Sequence, residues 1–462
     1  MAKTVIVSYR GPANPNASGK SAPGGVQAGL DRLYRSAKPG AVCWVFMDGN
    51  DLCMVAGGEP IRLTSIDPEI VAAHYRGISN GVLWPITHDR LDHVCVADEA
   101  PYRTFNDIVA DQLASVTEDG DWVTMQDYQF APAPEALRER APGLRTSIFW
   151  HIPWPKVVAP EFVDTMKMVA RGLLGATILG FHTTEYRRNF IDFVANHLPE
   201  YRAYTYCVDD RATMRSTRVL VQPLGIDYNY WFEMAKGPLV VPGVPEVPFV
   251  LSVERLDYSK GVLERFHAID TFFEMHPHRI GKVSFLQVAA KTRSEVEAFQ
   301  QYWDDCQALE ALLNAKWGTP SWKPLVWLKD PIPPNELAPL YRKAAVGAIG
   351  PRRDGLNLVA SEIVAAADDD NPPVLCLSST AGIWEQFGAS RWYQIARGVL
   401  ELKPDDPRQM AEAFEQALLM SGREKRRRMG WLKRQVRFNP LDRWVHAMCR
   451  DPNHYVPRLR RA

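Results

Sequence analysis

Short runs rich in β-branched and aromatic residues alternate along this chain with longer segments of helical spacing, and the alternation occurs twice. The first series comprises residues 4–7, 122–125, 146–150, 177–180 and 219–222; the second comprises 249–253, 283–288, 325–328, 346–349 and 374–377. Each series has the βαβ rhythm of a parallel sheet covered by helices. Between the two lies a stretch, 237–248, with prolines at 238, 242, 245 and 248. Proline removes backbone donors and keeps the preceding residue out of the α region, so this stretch reads as a linker. With 462 residues the chain also exceeds the roughly 250–300 at which one hydrophobic core stops growing. The expectation is an α/β fold of two doubly wound domains, 1–235 and 236–439, with one site lying between them.

Fifty-four basic residues balance fifty-four acidic ones, so no long-range field draws the chain to nucleic acid or an anionic membrane. Any anion must be held by a local constellation. The densest basic run, from Arg423 to Arg437, carries Met429 and Leu432 at spacings that suit a solvated helix face with an apolar stripe. The seven cysteines are scattered, odd in number and without metal-ligand spacing, which fits thiols in a reducing compartment. The N-terminus is apolar for only a few residues before Arg10, too short for a signal peptide, and no run of about 18 apolar residues occurs. The expected setting is the cytoplasm, with small-molecule partners, no nucleic acid and no membrane; a homo-oligomer is left open.

In open parallel sheets ligands sit beyond the carboxyl ends of the strands, so polar residues just after each run are the candidates. The first strand leads into Arg10, and Gly24-Gly25 opens a helical pattern where backbone amides can approach an anion. Such glycine pairs also make ordinary turns. His151 follows another strand and is held by Pro153 and Pro155, although a lone histidine is as readily structural. In the second half, Arg255 and Lys260 leave a strand five positions apart, suiting a diphosphate leaving group neutralised without a metal; a surface ion-pair cluster is the bland alternative. The segment Asp354-Gly355-Leu356-Asn357-Leu358-Val359 opens a helix whose amides point at an anion, and Glu362 lies further along it where it can reach a ribose. Asp119-Gly120-Asp121 and Asp368-Asp369-Asp370 read as polar turns, so no metal or other cofactor is expected.

Several separate motifs together resemble the trehalose-6-phosphate synthase family of retaining, metal-independent GT-B glycosyltransferases, from end to end. They are Arg10 with the Gly-Gly loop, the segments 79–85, 127–128, 151–155 and 174–183, Ser252 to Gly261, and Arg353 to Val359. Glucosylglycerol-phosphate synthases and validamycin-type pseudoglycosyltransferases share the resemblance. It implies two Rossmann-like domains facing across a cleft, with the acceptor on the first, the nucleotide sugar on the second, and a final helix (440–462) packing back on the first. Arg10, Tyr75, Trp84 and Arg293 would surround the acceptor phosphate, and Asp127 and His151 would contact the reacting sugars. Arg255 and Lys260 would hold the diphosphate, Gly24, Gly25 and the backbone of Asp354, Gly355, Leu356, Asn357, Leu358 and Val359 would contact the donor, and Glu362 would bind its ribose.

The implied reaction is glucose transfer from a nucleoside-diphosphate-glucose to glucose 6-phosphate. A cyclitol or glycerol phosphate acceptor, or a sugar-phosphate sensor without turnover, are the alternatives. Two departures stand out: Gln126 where the family usually has histidine, and Ile383-Trp384 where it has a pair of alanines.

Overall fold

The computed structural model describes residues 2–12, 25–38, 40–293, 295–388 and 398–449. These fall into two compact units, one running to Leu224 and resuming at Leu441, the other spanning Gly225–Pro440. The proline-rich stretch 237–248 therefore lies inside the second unit and not at its border. The helix before it, Tyr228–Met234, already packs on that unit, with the Trp231 ring 5.8 Å from that of Tyr341.

The first unit is built on β1 (Thr4–Val7), β2 (Val42–Asp48), β3 (Asp51–Val55), β4 (Ile61–Ser65), β5 (Trp122–Gln126), β6 (Arg145–Trp150), β7 (Ile178–Phe181), β8 (Tyr201–Ala203), β9 (Cys207–Asp210) and β10 (Ser216–Val221). Their order is β4-β3-β2-β1-β5-β6-β7-β10-β9-β8. The central strands β2, β1, β5, β6, β7 and β10 are parallel and the outer ones antiparallel. The sheet is thus mixed at both edges, where sequence periodicity suggests a purely parallel one. At one edge the cause is local: Asp48 pairs with Asp51 across a two-residue turn in which Gly49 takes φ 61°, a geometry that suits the twist of a hairpin.

In the second unit β11 (Phe249–Leu256), β12 (Ser284–Lys291), β13 (Leu325–Leu328), β14 (Val346–Ile349), β15 (Val374–Ser378) and β16 (Leu400–Leu402) form an all-parallel sheet ordered β13-β12-β11-β14-β15-β16. Strand order reverses between β1 and β5 in the first sheet and between β11 and β14 in the second. A crevice opens at such a reversal, beyond the carboxyl ends of the strands, because the flanking connections leave in opposite directions. Central strands covered on both faces must be apolar throughout, and Val250, Leu251, Ile148, Phe149 and Trp150 are all at most 1% exposed.

The chain ends its described course by returning to the first sheet. The helix Leu441–Cys449 buries Trp444 and Met448, and the Met448 carbonyl accepts from Trp122 Nε1 (2.9 Å) and from Ser147 Oγ. The Leu174-Gly175 motif proves to be a packing device: a Cβ at Gly175 would stand 2.1 Å from the backbone nitrogen of Glu135, on the helix Ala133–Arg140. That neighbour is main chain and cannot swing aside. Gly175→Ala is expected to destabilise the protein by about 1–3 kcal/mol through overpacking, and a melting temperature equal to that of the wild type would contradict this contact.

Candidate active site

At the carboxyl edge of the first sheet, the chain leaves β1 through Ser8, Tyr9 and an exposed Arg10. Ser8 Oγ donates to the Arg10 carbonyl (2.7 Å) and accepts from the buried Trp44 Nε1 (2.8 Å), so the turn carrying Arg10 is tied to the core. Gly25 opens the helix Gly25–Ser36, whose Gln27 Nε2 donates to the Gly11 carbonyl (2.7 Å). Gly24 lies outside the described residues.

Tyr75 belongs to a π-helix, Ala73–Leu83, an unusually wide winding that closes with the Trp84 amide donating to the Ser79 carbonyl. The Tyr75 ring stacks on Tyr9, centroids 4.5 Å apart, beside Arg10. Asn80 Nδ2 donates to the Tyr75 carbonyl (2.8 Å), and Asn80 Oδ1 accepts from Tyr128 OH (2.9 Å). Trp84 is 4% exposed, stacked on His88 at 4.1 Å and 5.8 Å from the Tyr128 ring. The π-helix thus joins the Arg10 turn to the Asp127-Tyr128 turn, bringing Arg10, Tyr75, Trp84 and Asp127 to one region.

Asp127 takes φ 74°, rare for a residue with a Cβ, and its Oδ1 accepts from the amides of Tyr128 (3.0 Å) and His151 (3.2 Å). The carboxylate therefore clamps the ends of β5 and β6 together. Beside it runs a buried relay whose proton positions follow from its first member. The Leu224 amide can only donate, so His182 Nδ1 accepts (3.3 Å) and the neutral ring carries its proton on Nε2. That proton points to His151 Nδ1 (3.2 Å), which leaves the His151 proton on Nε2, donated to Gln126 Oε1 (2.9 Å). Gln126 Nε2 then donates to Thr124 Oγ1 (3.0 Å). Burial holds the His151 pKa well below the usual histidine range.

Both ring nitrogens of His151 are engaged in this arrangement, so Gln126 must turn away before His151 Nε2 can meet any other group. The sequence pointed to His151 but not to Gln126 and His182 as its partners. The signal was available: Trp150 and Phe181 pair across β6 and β7, so the residues that follow them must be neighbours.

At the carboxyl edge of the second sheet, β11 delivers an exposed Arg255 and a buried Asp257. Asp257 Oδ1 accepts from the Ser259 amide (2.9 Å), capping the short turn Tyr258–Lys260, and Oδ2 receives Arg293 Nη1 (3.1 Å). Arg293 therefore belongs to the second unit, with φ 47° and its guanidinium 5.1 Å from the Phe299 ring centroid. The turn ends at Gly261 in the left-handed region (φ 67°), where a Cβ would stand 2.2 Å from the Gly350 carbonyl oxygen. Lys260 is brought across to Asp354, Nζ to Oδ2 at 2.7 Å. Beneath the strand, fully buried Arg265 pairs with Glu254, which also accepts from Gln287 Nε2 (2.6 Å). Burial pushes the Glu254 carboxyl up, against the pull of Arg265.

The segment after β14 closes this edge. Asp354 also accepts from Asn357 Nδ2 (3.1 Å), while Asn357, at φ 80°, caps the helix Leu358–Ala366 by accepting from the Ala360 amide (3.2 Å). The helix amino terminus therefore faces the edge that holds Lys260. A second loop braces it: the Gly382 amide donates to the Asp354 carbonyl (3.0 Å) and the Ile383 amide to that of Leu356 (2.8 Å). Ile383 is buried in this brace and Trp384 only half-buried, which is how the larger pair is accommodated. Glu362 lies one turn into the helix, accepting from Tyr341 OH (3.0 Å); burial pushes its pKa up to about 7.

The acidic clusters serve as turns and ion-pair partners. Asp121 accepts from the Lys3 and Glu118 amides, and Asp368 and Asp369 pair with Arg342 and Lys433. Lys433 is buried, so the basic helix Gly422–Phe438 is not wholly a solvated face. Among the described residues no group of three or more His, Cys, Asp or Glu could hold a metal ion, and no helix is long and apolar enough to cross a membrane. Of the six cysteines described as free, Cys95 is exposed.

Two titrations follow from this geometry. Nitrogen NMR should find His151 neutral and Nε2-protonated across about pH 5–8, whereas Gln126→Glu, placing a carboxylate on Nε2, should raise its pKa into that range. An unmoved titration in the variant would break the relay. For Glu362, folding stability should fall as pH rises from 4.5 to about 7, because the unfolded chain gives up that proton first. The melting temperature of Glu362→Gln relative to wild type should therefore climb over the same interval; parallel profiles would refute the shift.

The whole chain has known likenesses. Residues 60–453 match the model of Glycosyltransferase family 20. A trehalose-6-phosphate synthase of Cronobacter sakazakii is 32% identical over 99% of this chain and 96% of its own length, and one of Escherichia coli O6:K15:H31 is 31% identical over the same shares. Among solved structures, the trehalose-6-phosphate synthase OtsA superimposes with a TM-score of 0.87 at 30% identity, covering 99% of this chain and 100% of that one. A UDP-forming α,α-trehalose-phosphate synthase of Burkholderia xenovorans, in complex with glucose-6-phosphate, gives 0.84 at 29%, covering 96% and 98%. An E. coli structure bound with UDP-2-fluoro glucose gives 0.85 at 30%, covering 99% and 100%. With two α/β units, a TM-score of 0.87 to a solved relative and full-length similarity, the chain belongs to glycosyltransferase family 20 and, within it, to the trehalose-6-phosphate synthase family.

Proposed function

We propose that this glycosyltransferase moves glucose from a nucleoside-diphosphate-glucose to glucose 6-phosphate, giving trehalose 6-phosphate, in the cytoplasm and without a metal. The observation that carries the reading is the gathering of Lys260, Asp354, the Asn357-capped helix and Glu362 on one sheet edge, with Arg255 leaving the same strand. Cations and helix amides there are suited to a diphosphate, and a carboxyl one turn into the helix to a ribose. The relatives solved with UDP-2-fluoro glucose and with glucose-6-phosphate support the same pair of substrates.

On this reading the second unit (225–440) binds the donor and the first unit, with the returning helix, the acceptor. Arg10, Tyr75 and Trp84 receive the sugar phosphate, with Arg293 as a further cation, and Asp127 and His151 meet the reacting sugars. The bond from the anomeric carbon to the diphosphate oxygen breaks, the bond to the acceptor hydroxyl oxygen forms on the same face, and the leaving phosphate takes the hydroxyl proton. The protein's main contribution is then charge stabilisation of the departing diphosphate by Arg255, Lys260 and backbone amides. A carboxylate pair at glycosidase spacing is not required.

A second reading, a cyclitol phosphate as acceptor, is favoured by Gln126, which occupies His151 Nε2. Turnover measured with several nucleotide sugars against glucose 6-phosphate, glycerol 3-phosphate and a cyclitol phosphate separates the two. Activity with glucose 6-phosphate is expected; activity only with the others would overturn the acceptor, and no nucleoside diphosphate released in any combination would indicate a sensor. Arg255→Ala and Lys260→Ala should each lower turnover about 10²-fold or more, and Arg10→Ala should chiefly raise KM for the acceptor. Full activity in both donor-site variants would show that the diphosphate is held elsewhere.

A further inference from the structure

The second unit also contains a cavity of about 760 Å³ at the amino-terminal edge of its sheet. Phe249 opens β11, Val283 and Ala345 immediately precede β12 and β14, and Pro372 lies two residues before β15; all four line it. Eight residues of β11 at about 3.3 Å each put this edge roughly 25 Å from the other. A molecule held here is therefore beyond reach of Lys260. The volume falls within the roughly 300–1,000 Å³ usual for small-molecule sites.

Its charge is lopsided. Six cations line the cavity against two carboxylates, Glu246 and Asp368. Three of the cations are already matched: Arg279 by Glu415 (2.9 Å), Lys236 by Glu233 (2.7 Å) and Arg342 by Asp368. Lys282, Lys343 and Lys425 have no ion pair among the described residues, and the only carboxylate left to face them is the exposed Glu246. Lys425 is half-buried, and that burial pulls its pKa down. A half-buried ammonium lacks part of its hydration, and the exposed Lys282 and Lys343 add unmatched positive charge at the same rim. An anion filling the hollow would offset that lost hydration and meet the unmatched charge. Leu239, Phe249 and Leu418 give the same cavity an apolar flank.

We infer that this cavity is a second ligand site, for a small phosphorylated molecule bearing more than one negative charge, separate from the substrate edge. Calorimetric titration of the full chain with inorganic pyrophosphate tests it. The wild type should bind one pyrophosphate more than the triple variant Lys282→Ser, Lys343→Ser, Lys425→Met, and the additional binding should weaken steeply with salt. Because the three side chains are not core residues and the half-buried Lys425 ammonium is costly, the variant should melt at or above the wild-type temperature and keep its turnover in the absence of added anion. A triple Lys→Arg variant should retain the binding, which keeps the test decisive if the neutral variant fails to fold. Equal stoichiometry and affinity in the wild type and the neutral variant would overturn the site. Citrate binding as tightly as pyrophosphate, with the same dependence on the lysines, would overturn its assignment to phosphate. Loss of the Arg255 and Lys260 donor site leaves the extra binding untouched, so the two assignments fail separately.

Discussion

Asp257 has no exposed surface, yet it organises the charged edge of the second unit. Removing a carboxylate from water is tolerable only when its oxygens are fully served, and here one oxygen caps the turn at Ser259 while the other receives Arg293. The single side chain thereby fixes the end of β11 relative to the end of β12. The turn it caps sets the left-handed Gly261, closes the approach to Gly350 and delivers Lys260 to Asp354. Asp354 in turn shares its carboxylate with Asn357, which starts the helix carrying Glu362. Each step is short and geometrically restrictive, so the cation and the helix terminus are held before any ligand arrives.

The first unit solves a different problem. Its polar edge is organised by neutral hydrogen bonds, running from a backbone amide through two imidazoles to an amide side chain. Fully buried groups of this kind cost little when every donor meets an acceptor, and they favour one tautomer throughout. Charge enters at Asp127, which is anchored by main-chain amides and whose strained φ is sustained by the two strands it joins, and at the exposed Arg10. One edge thus offers fixed charge and the other mainly directional hydrogen bonds.

Much of this was legible in the residues. Ten of the twelve parallel strands among the described residues could be located because buried parallel strands are continuous apolar runs, though β2, which carries the same signal, and the three-residue β16 were missed; the rule that sites follow strand ends picked out Arg10, His151, Arg255 and Asp354. The outer strands β3, β4, β8 and β9 escaped notice because edge strands are short and half-exposed, with little periodicity. Partnerships were harder still. Nothing in a linear pattern says that Lys260 is already neutralised by Asp354, that Arg293 serves a buried carboxylate, or that Gln126 occupies His151, since each depends on which loops the sheet order makes neighbours. The segment 237–248 was misread as an interdomain connector because proline content reports the lack of helix and not the position of a border.

The wide winding of Ala73–Leu83 has a consequence for how this family member can diverge. An ordinary α-helix advances about 100° per residue, so gaining or losing one position in this segment would swing Tyr75 away from Tyr9 while Asn80 stayed bound to Tyr128. The indel that would restore an ordinary winding is the one that separates the two loops. Length at this place is therefore frozen even where residue identity is free, and a drift in spacing between Tyr75 and Asn80 among homologues would mark a reshaped join between the Arg10 and Asp127 turns.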